Sequence, residues 1–184
     1  KENSNDPSLF NLYFDNLDVD FFDKSFVSIT NPMNLYNIGL ITSKIPTAKV
    51  IYCYRNPLDN IKEIYKKNMG NRHTYSCSII ESANLCIELH SLMKEYKKRF
   101  NSTIYFLNYD HLVSNTGEEV QYLLDWLGWE NNNRYIVPKL DPTTIKITKK
   151  YDLKKINKNE ISSWKNYRYF LKPAINVFKN SIKF

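Results

Sequence analysis

The chain has 184 residues, 24% of them charged and 42% hydrophobic, which is enough to bury one sizeable core in a single domain over residues 1–184. Lys and Arg outnumber Asp and Glu by 26 to 19, and the resulting net charge of +7 suits an anionic partner. No run reaches the roughly 18 apolar residues of a membrane span and no signal peptide is recognisable, so we expect a cytoplasmic protein with a disordered start at residues 1–8.

Apolar periodicity predicts the elements of the first part of the chain. A helix is predicted over Leu9–Phe22, a short strand over Phe26–Ile29 and a second helix over Leu35–Ile45. Ala48–Tyr54 is almost continuously apolar, as is typical of a strand that is buried on both faces of a parallel sheet. A helix over Leu58–Lys67 is predicted to follow it.

The second part of the chain continues the alternation of helix and strand. Ser78–Phe100 is predicted to be a long amphipathic helix, Thr103–Asn108 a buried strand and Glu118–Leu127 a helix. A Lys-rich loop over 138–158 precedes a final helix at Trp164–Phe178. This order implies right-handed crossovers and the α/β class, with a parallel sheet flanked by helices.

The two apolar strands carry the most specific structural expectation. Ala48–Tyr54 and Thr103–Asn108 are both buried runs that are separated by helices, so we predict that they are neighbouring parallel strands.

The cysteines and histidines indicate neither a metal site nor a disulfide framework. The three cysteines have no CxxC spacing, and no two of the three histidines stand four residues apart. Cys53 lies inside an apolar run and is predicted to be a buried core residue.

Arg55 is the strongest candidate for binding an anion. It stands at the carboxyl end of the best strand, where ligands bind in α/β sheets. The following helix is predicted to offer unpaired N–H groups to the same anion, with Arg55 as a bidentate clamp. A salt bridge from Arg55 to Asp59 is the structural alternative.

The segment Tyr54–Asp59, which reads YRNPLD, resembles the R-[ND]-P-x-D signature of the sulfotransferases, which use 3′-phosphoadenosine 5′-phosphosulfate as sulfuryl donor. The resemblance covers about residues 26–178 and is nearest to the bacterial group that is joined to tetratricopeptide repeats. Other family motifs, in chain order, are similar to Pro32–Asn34, Gly39–Ile41, Pro46–Ile51, Gly70–Asn71, Leu107–Leu112, Leu123–Gly128, Trp164–Tyr167 and Leu171–Pro173.

The resemblance implies a P-loop nucleotide hydrolase-like fold and a donor site. Arg55 would bind the 3′-phosphate of the donor, and Glu63 stands where the family usually has a serine that contacts the same phosphate. A family arginine of the tail falls next to Lys154 and Lys155, and the helix of Trp164 would lie beside the nucleotide. The acceptor would be a small molecule, a glycan or a peptide.

Two parts of the family pattern are missing. The Gly-rich loop that wraps the 5′-phosphosulfate has no counterpart in these 184 residues, and Thr30 stands where the family tends to have a lysine. The chain is therefore interpreted as a domain truncated at its N-terminus, the carboxyl-terminal part of a longer enzyme. A degenerate homologue that acts as a binding or scaffold domain is the alternative.

Two further hypotheses follow from individual residues. His73, after the Gly70–Asn71 break, is the candidate for the base that activates the acceptor. A nucleic-acid-binding role is suggested by the basic stretch Lys146–Lys158 with Tyr151 inside it. The chain has no recognised nucleic-acid motif, so no such partner is expected.

Overall fold

A computed structural model describes residues 28–67, 73–129 and 158–181. Its sheet contains two parallel strands, β1 (Val50–Tyr54) and β2 (Ile104–Asn108), among the residues described. The strands pair in register from Val50 opposite Ile104 to Tyr54 opposite Asn108. The prediction of neighbouring parallel strands is confirmed.

Helices surround this sheet, so the predicted α/β class with a parallel sheet flanked by helices is also confirmed. No helix in the described ranges is long and apolar enough to cross a membrane. The α-helices of these ranges are α1 (Ile38–Lys44), α2 (Pro57–Lys66), α3 (Ile79–Arg99), α4 (Tyr109–Ser114), α5 (Thr116–Leu127) and α6 (Lys172–Asn180). Turns of 3₁₀ helix cover Pro32–Asn37, Thr74–Cys77, Lys158–Glu160 and Ser163–Tyr167.

The long helix α3 contributes to both hydrophobic clusters of the described core. Near its start, Ala83 packs with residues of α2 and α6. This packing brings the carboxyl-terminal segment, residues 158–181, against α2. Near its end, Met93 packs with Ile38 of α1 and Ile104 of β2. Both Ala83 and Met93 are fully buried, so α3 joins the sheet to the carboxyl-terminal segment.

Strand β1 is covered on one face only, which corrects the prediction of a strand buried on both faces. Tyr52 and Tyr54 are half-buried against Phe106 and against His90 of α3. On the other face Ile51 is 40% exposed, and Cys53 is also exposed rather than buried. A continuous apolar run does not reveal which of its alternating side chains will meet a covering helix.

Helix α5 explains why the uncovered part of the sheet lies at β1. Trp126 of α5 packs against Tyr105 of β2 at 5.3 Å between ring centroids, and Lys49 lies over the Trp126 ring. The next residue on this face of β2, Leu107, is only 8% exposed. Helix α5 thus covers β2, while the neighbouring side chains of β1 stay exposed.

The ends of several predicted elements differ from the structure. The predicted final helix at Trp164–Phe178 is a 3₁₀ turn followed by α6, which has Pro173 in its first turn, where a missing N–H costs no hydrogen bond. The helix predicted from Leu35 begins as a 3₁₀ turn and becomes α-helical at Ile38. Gly128 ends α5 in the left-handed conformation, with a φ of 74°, as is usual for a glycine cap.

Some predictions fall wholly or partly outside the described residues. These are the helix over Leu9–Phe22, most of the Lys-rich loop over 138–158, and the first half of the strand over Phe26–Ile29. Of that strand, Ser28 and Ile29 are described and are not in a strand.

The exposed face of β1 makes a testable prediction about cysteine reactivity. We expect Cys53 to react several times faster than Cys86 with a thiol reagent, measured in single-cysteine variants of the folded protein. Burial raises the pKa of both thiols, so the difference rests on access, and of these two cysteines Cys53 is the exposed one. Faster reaction at Cys86 would contradict the exposed face of β1.

Candidate functional site

An asparagine caps the helix that follows each strand: Asn56, two residues after the end of β1, and Asn108, the last residue of β2. The Asn56 Oδ1 atom accepts hydrogen bonds from the N–H groups of Leu58 (3.0 Å) and Asp59 (3.4 Å), and Pro57 has no N–H. Asn108 caps α4 in the same way, at 2.9 and 3.2 Å. The prediction that α2 offers unpaired N–H groups to an anion is therefore wrong, because its own cap already uses them.

Three residues from two separate segments hold the side chain of Arg55, which is 15% exposed. Its Nη2 donates to the carbonyl oxygen of Glu160 at 3.3 Å. The guanidinium lies over the ring of Tyr109, 5.2 Å from the ring centroid. Its Nε lies 3.9 Å from Oδ1 of Asp110. The side chain is thus oriented by α4 and by the carboxyl-terminal segment together.

Asp110 links the two strand ends and is the carboxylate nearest to Arg55 in the described structure. Its Oδ2 accepts a hydrogen bond from the backbone N–H of Asn56 at 2.8 Å. Its Oδ1 is too far from Arg55 Nε for a hydrogen bond, and both atoms are buried without a hydrogen-bond partner among the described residues. The Nε1 atom of Trp164 is likewise buried without a hydrogen-bond partner among these residues. Two buried donors of this region therefore lack an acceptor.

The fully buried carboxylate of Asp59 holds the carboxyl-terminal segment against α2. Its Oδ2 accepts from the N–H of Ser162 at 2.8 Å, and its Oδ1 accepts from the N–H of Trp164 at 2.8 Å. The hydroxyl of Ser163 lies 3.1 Å from Oδ1, and Nζ of Lys62 lies 4.0 Å from it. The alternative prediction of a salt bridge between Arg55 and Asp59 is therefore wrong. Asp59 instead binds residues more than 100 positions away.

The backbone of the carboxyl-terminal segment is turned to reach Asp59. Ser162 has a φ of 58°, in the left-handed region, which costs a non-glycine residue about 1 kcal/mol or more. The Ser163 hydroxyl lies 2.9 Å from the carbonyl oxygen of Glu160 and accepts a hydrogen bond from Lys62 Nζ. Because Glu160 also accepts from Arg55, the contacts of Asp59 and those of Arg55 form one connected group.

Glu63 is a carboxylate in a basic environment. It pairs with Lys62 at 3.0 Å and with Lys66 at 3.7 Å. Partial burial alone would raise the pKa of the Glu63 carboxyl, but the hydrogen bond and charge of Lys62, with the charges of Lys66 and Arg55, lower this pKa below its ordinary value. Glu63 is therefore ionised at neutral pH, and its charge is neutralised locally.

Carboxylates match the cations of this region in number. Lys154 and Lys155 lie outside the described residues, so the nucleotide-binding role expected of them stays a prediction. The charged groups that the described residues place around Arg55 and the start of α2 are the cations of Arg55, Lys62 and Lys66 and the carboxylates of Asp59, Glu63 and Asp110.

The other predicted site residues have different surroundings. His73 precedes the turn that leads into α3, and its ring packs edge-on against Tyr75 at 5.7 Å. Trp164 packs against the core cluster that contains Leu58 and Ile61, so its ring is partly buried. The roles of His73 as a base and of Trp164 beside a nucleotide stay predictions.

Sequence reasoning missed Asp110 and the carbonyl oxygen of Glu160. A signal for Asp110 was present, because Leu107–Leu112 was matched to a family motif that has an acidic residue at this position. Nothing local marks Glu160, since it contributes only its backbone.

The profile of the sulfotransferase family matches residues 2–133 of this sequence. This match covers most of the chain, and the chain belongs to the sulfotransferase family, a family of transferases. The motif match that was recognised from the sequence is thereby confirmed at family level.

An uncharacterised protein of Aquifex aeolicus (strain VF5) is 28% identical over 158 residues. The match covers 83% of this chain but only 20% of that relative, so the chain spans about a fifth of the relative's length. No solved structure shows a significant match.

The contacts of Asp59 predict a large effect on stability. We expect Asp59→Ala to lower the free energy of unfolding by about 3–5 kcal/mol, because it leaves two buried N–H donors without an acceptor and removes one of the two carboxylates beside the buried Lys62. Asp59→Asn keeps one acceptor oxygen and should cost about 1–3 kcal/mol. Denaturant unfolding measures both.

Asp125→Ala is the control for these variants. Asp125 is an exposed carboxylate on α5 that accepts from Gln121, so its loss should cost no more than about 0.5 kcal/mol. Equal stability of the Asp59→Ala and Asp125→Ala variants would show that Asp59 does not hold the carboxyl-terminal segment.

Proposed function

We propose that this domain binds 3′-phosphoadenosine 5′-phosphosulfate and transfers its sulfuryl group to a hydroxyl or amine acceptor, as part of a longer enzyme. The observation that carries the proposal is the placement of Arg55. It stands at the carboxyl end of β1, it is oriented by Glu160, Tyr109 and Asp110, and its buried Nε has no acceptor in the described structure.

The arrangement of Arg55 suits the recognition of a phosphate. A guanidinium binds phosphate through two parallel N–H bonds, so its orientation matters as much as its charge. The ring of Tyr109 and the Glu160 carbonyl hold the group in place before a ligand arrives. Preorganisation of this kind reduces the entropy that binding must overcome.

The acidic residues near Arg55 are compatible with an anion because they are already paired. Glu63 stands where the family has a serine, and an isolated carboxylate there would repel the 3′-phosphate. Lys62 and Lys66 both pair with it, so the phosphate would meet a neutralised group. We propose that Lys154 and Lys155 add positive charge on the same side, and that Trp164 lies beside the nucleotide.

The other half of the donor would be bound by a segment outside these 184 residues. The sequence contains only four glycines and no Gly-rich phosphate-binding motif. A relative about four times as long leaves room for such a segment elsewhere in the polypeptide. The chemistry needs donors aimed at the sulfuryl oxygens and a base near the acceptor, for which His73 is the candidate in this chain.

If Arg55 binds the 3′-phosphate, its removal should lower the affinity of the chain for 3′,5′-bisphosphoadenosine, which is the donor without its sulfuryl group. Arg55→Ala should weaken binding by about 1.5–3 kcal/mol, the scale of a charge-assisted hydrogen bond, which is roughly 10- to 150-fold in Kd. Titration calorimetry on the full chain measures the change.

Arg99→Ala is the matched control for Arg55→Ala. Arg99 is an exposed cation in the last turn of α3, so its removal lowers the net charge by the same amount and should leave the affinity nearly unchanged. The proposal fails if the two variants bind bisphosphoadenosine equally well.

The missing phosphate-binding loop leads to a second prediction, which concerns catalytic activity. We expect these 184 residues alone to transfer sulfuryl groups very slowly, because loss of even one preorganised donor costs about 10²–10³ in rate and the loop contributes several. A labelled-donor assay with hydroxyl and amine acceptors is the measurement. Turnover at about 1 per second, an ordinary enzymatic rate, would show that these residues complete the site themselves.

A degenerate, non-catalytic homologue is the second candidate function. It is favoured by the equal numbers of carboxylates and cations around Arg55 and by Thr30 at the position of a family lysine. The two candidates separate when the longer natural polypeptide is assayed, since the scaffold function predicts no turnover there either.

A further inference from the structure

A groove between α3 and α6 lies apart from the residues that orient Arg55. Its volume is about 660 Å³, and it is open to solvent along one side. Apolar side chains form most of its wall, with two asparagines one helical turn apart on α6. The residues that line it are Ile80, Tyr169, Phe170, Lys172, Pro173, Asn176, Val177 and Asn180.

Large hydrophobic side chains are exposed together at this groove. Tyr169 is 92% exposed, Ile80 is 50% exposed and Phe170 is 46% exposed. The ring of Tyr65 on α2 packs edge-on against Phe170, 5.1 Å between centroids, and is itself 44% exposed. Single exposed apolar residues are normal, but a contiguous group marks an interaction surface.

The carboxyl-terminal segment that forms most of the groove carries an excess of positive charge. Residues 161–184 contain five cations and no Asp or Glu, although the whole chain exceeds neutrality by only seven charges. The exposed cations of the described part of this segment are Lys165, Arg168, Lys172 and Lys179.

We propose that this groove binds an acidic amphipathic peptide segment of a partner protein. An apolar floor accepts the side chains that an amphipathic helix presents at i, i+3, i+4 and i+7. The cations of residues 161–184, a stretch without Asp or Glu, attract carboxylates on the opposite face of that helix and disfavour basic segments. The apolar wall and the basic carboxyl-terminal segment together match this chemistry.

The same surface is less suited to single-stranded nucleic acid or to an anionic glycan. Such polyanions need cations along the groove itself, but Lys172 is the only cation among the residues that line it. Successive bases also need several open aromatic faces. Tyr169 offers one, whereas Phe170 is already packed against Tyr65.

This inference goes beyond the proposed donor site and does not depend on it. The groove uses α6 and the start of α3, whereas the proposed phosphate contact is Arg55 at the end of β1. Binding of the peptide should therefore be unchanged in Arg55→Ala, and the two proposals can fail separately.

The test is a titration of the full chain with labelled peptides of about 16 residues, roughly four helical turns. The probe has Leu and Phe at helical spacing and Asp or Glu elsewhere; a scrambled peptide and a version with Lys for each acidic residue are compared with it. We expect fluorescence anisotropy to show saturable binding of the acidic probe alone, weakening as salt screens the charges.

The double variant Tyr169→Ser with Lys172→Glu should weaken binding of the acidic probe at least about tenfold, the effect of losing roughly 1.4 kcal/mol. Both residues are exposed, and an acidic residue at the start of α6 is favourable to the helix, so the variant should fold. The matched control is Tyr36→Ser with Lys94→Glu, an equal change at two exposed positions, one in the 3₁₀ turn before α1 and one on α3. This variant should bind the acidic probe as the unmodified chain does.

Three results would overturn the proposal. One is no saturable binding of the acidic probe; another is equal binding of the scrambled or Lys-containing peptide. The third is that a single-stranded oligonucleotide or a sulfated polysaccharide binds more tightly than the acidic probe, and that this binding is lost in the groove variant and kept in the control variant. Such a result would assign the groove to a polyanion. Thermal unfolding of each variant verifies that loss of binding is not loss of fold.

Discussion

The buried carboxylate of Asp59 is the contact on which the rest of this region depends. It accepts two backbone N–H groups of a segment more than 100 residues later in the chain, with Ser163 and Lys62 beside it. A buried charge is tolerated only when such partners surround it. The same contacts place Glu160 where its carbonyl oxygen orients Arg55, so a stability element and the candidate site share one set of hydrogen bonds.

The candidate site at the strand ends offers side chains rather than helix amides to a ligand. Asn56 and Asn108 occupy the first N–H groups of α2 and α4, which removes the usual way in which a helix start binds an anion. Among the described residues, Arg55 and Trp164 are left with an unused buried donor, and Asp110 balances much of the charge of Arg55. The proposed phosphate contact therefore depends on the geometry of the guanidinium more than on a strong positive field.

The carboxyl-terminal segment has two faces with different surroundings. One face is buried, with Leu171 and Ala174 fully enclosed against α2 and α3. The other face exposes Tyr169 and a row of cations. Asp59 anchors the segment from its inner side and leaves the outer face exposed.

Local patterns in the sequence were sufficient for the elements and for the first anion-binding candidate. Apolar periodicity predicted β1, β2, α2, α3 and α5, and Gly128 predicted a helix end, because these features depend on residues close together in the chain. The position of Arg55 after a strand, and its family motif, likewise followed from neighbouring residues. What only the tertiary structure decided is which face of β1 is covered and what Arg55 and Asp59 contact. Those contacts join residues about 50 to 105 positions apart, and no periodicity encodes a hydrogen bond to a distant backbone.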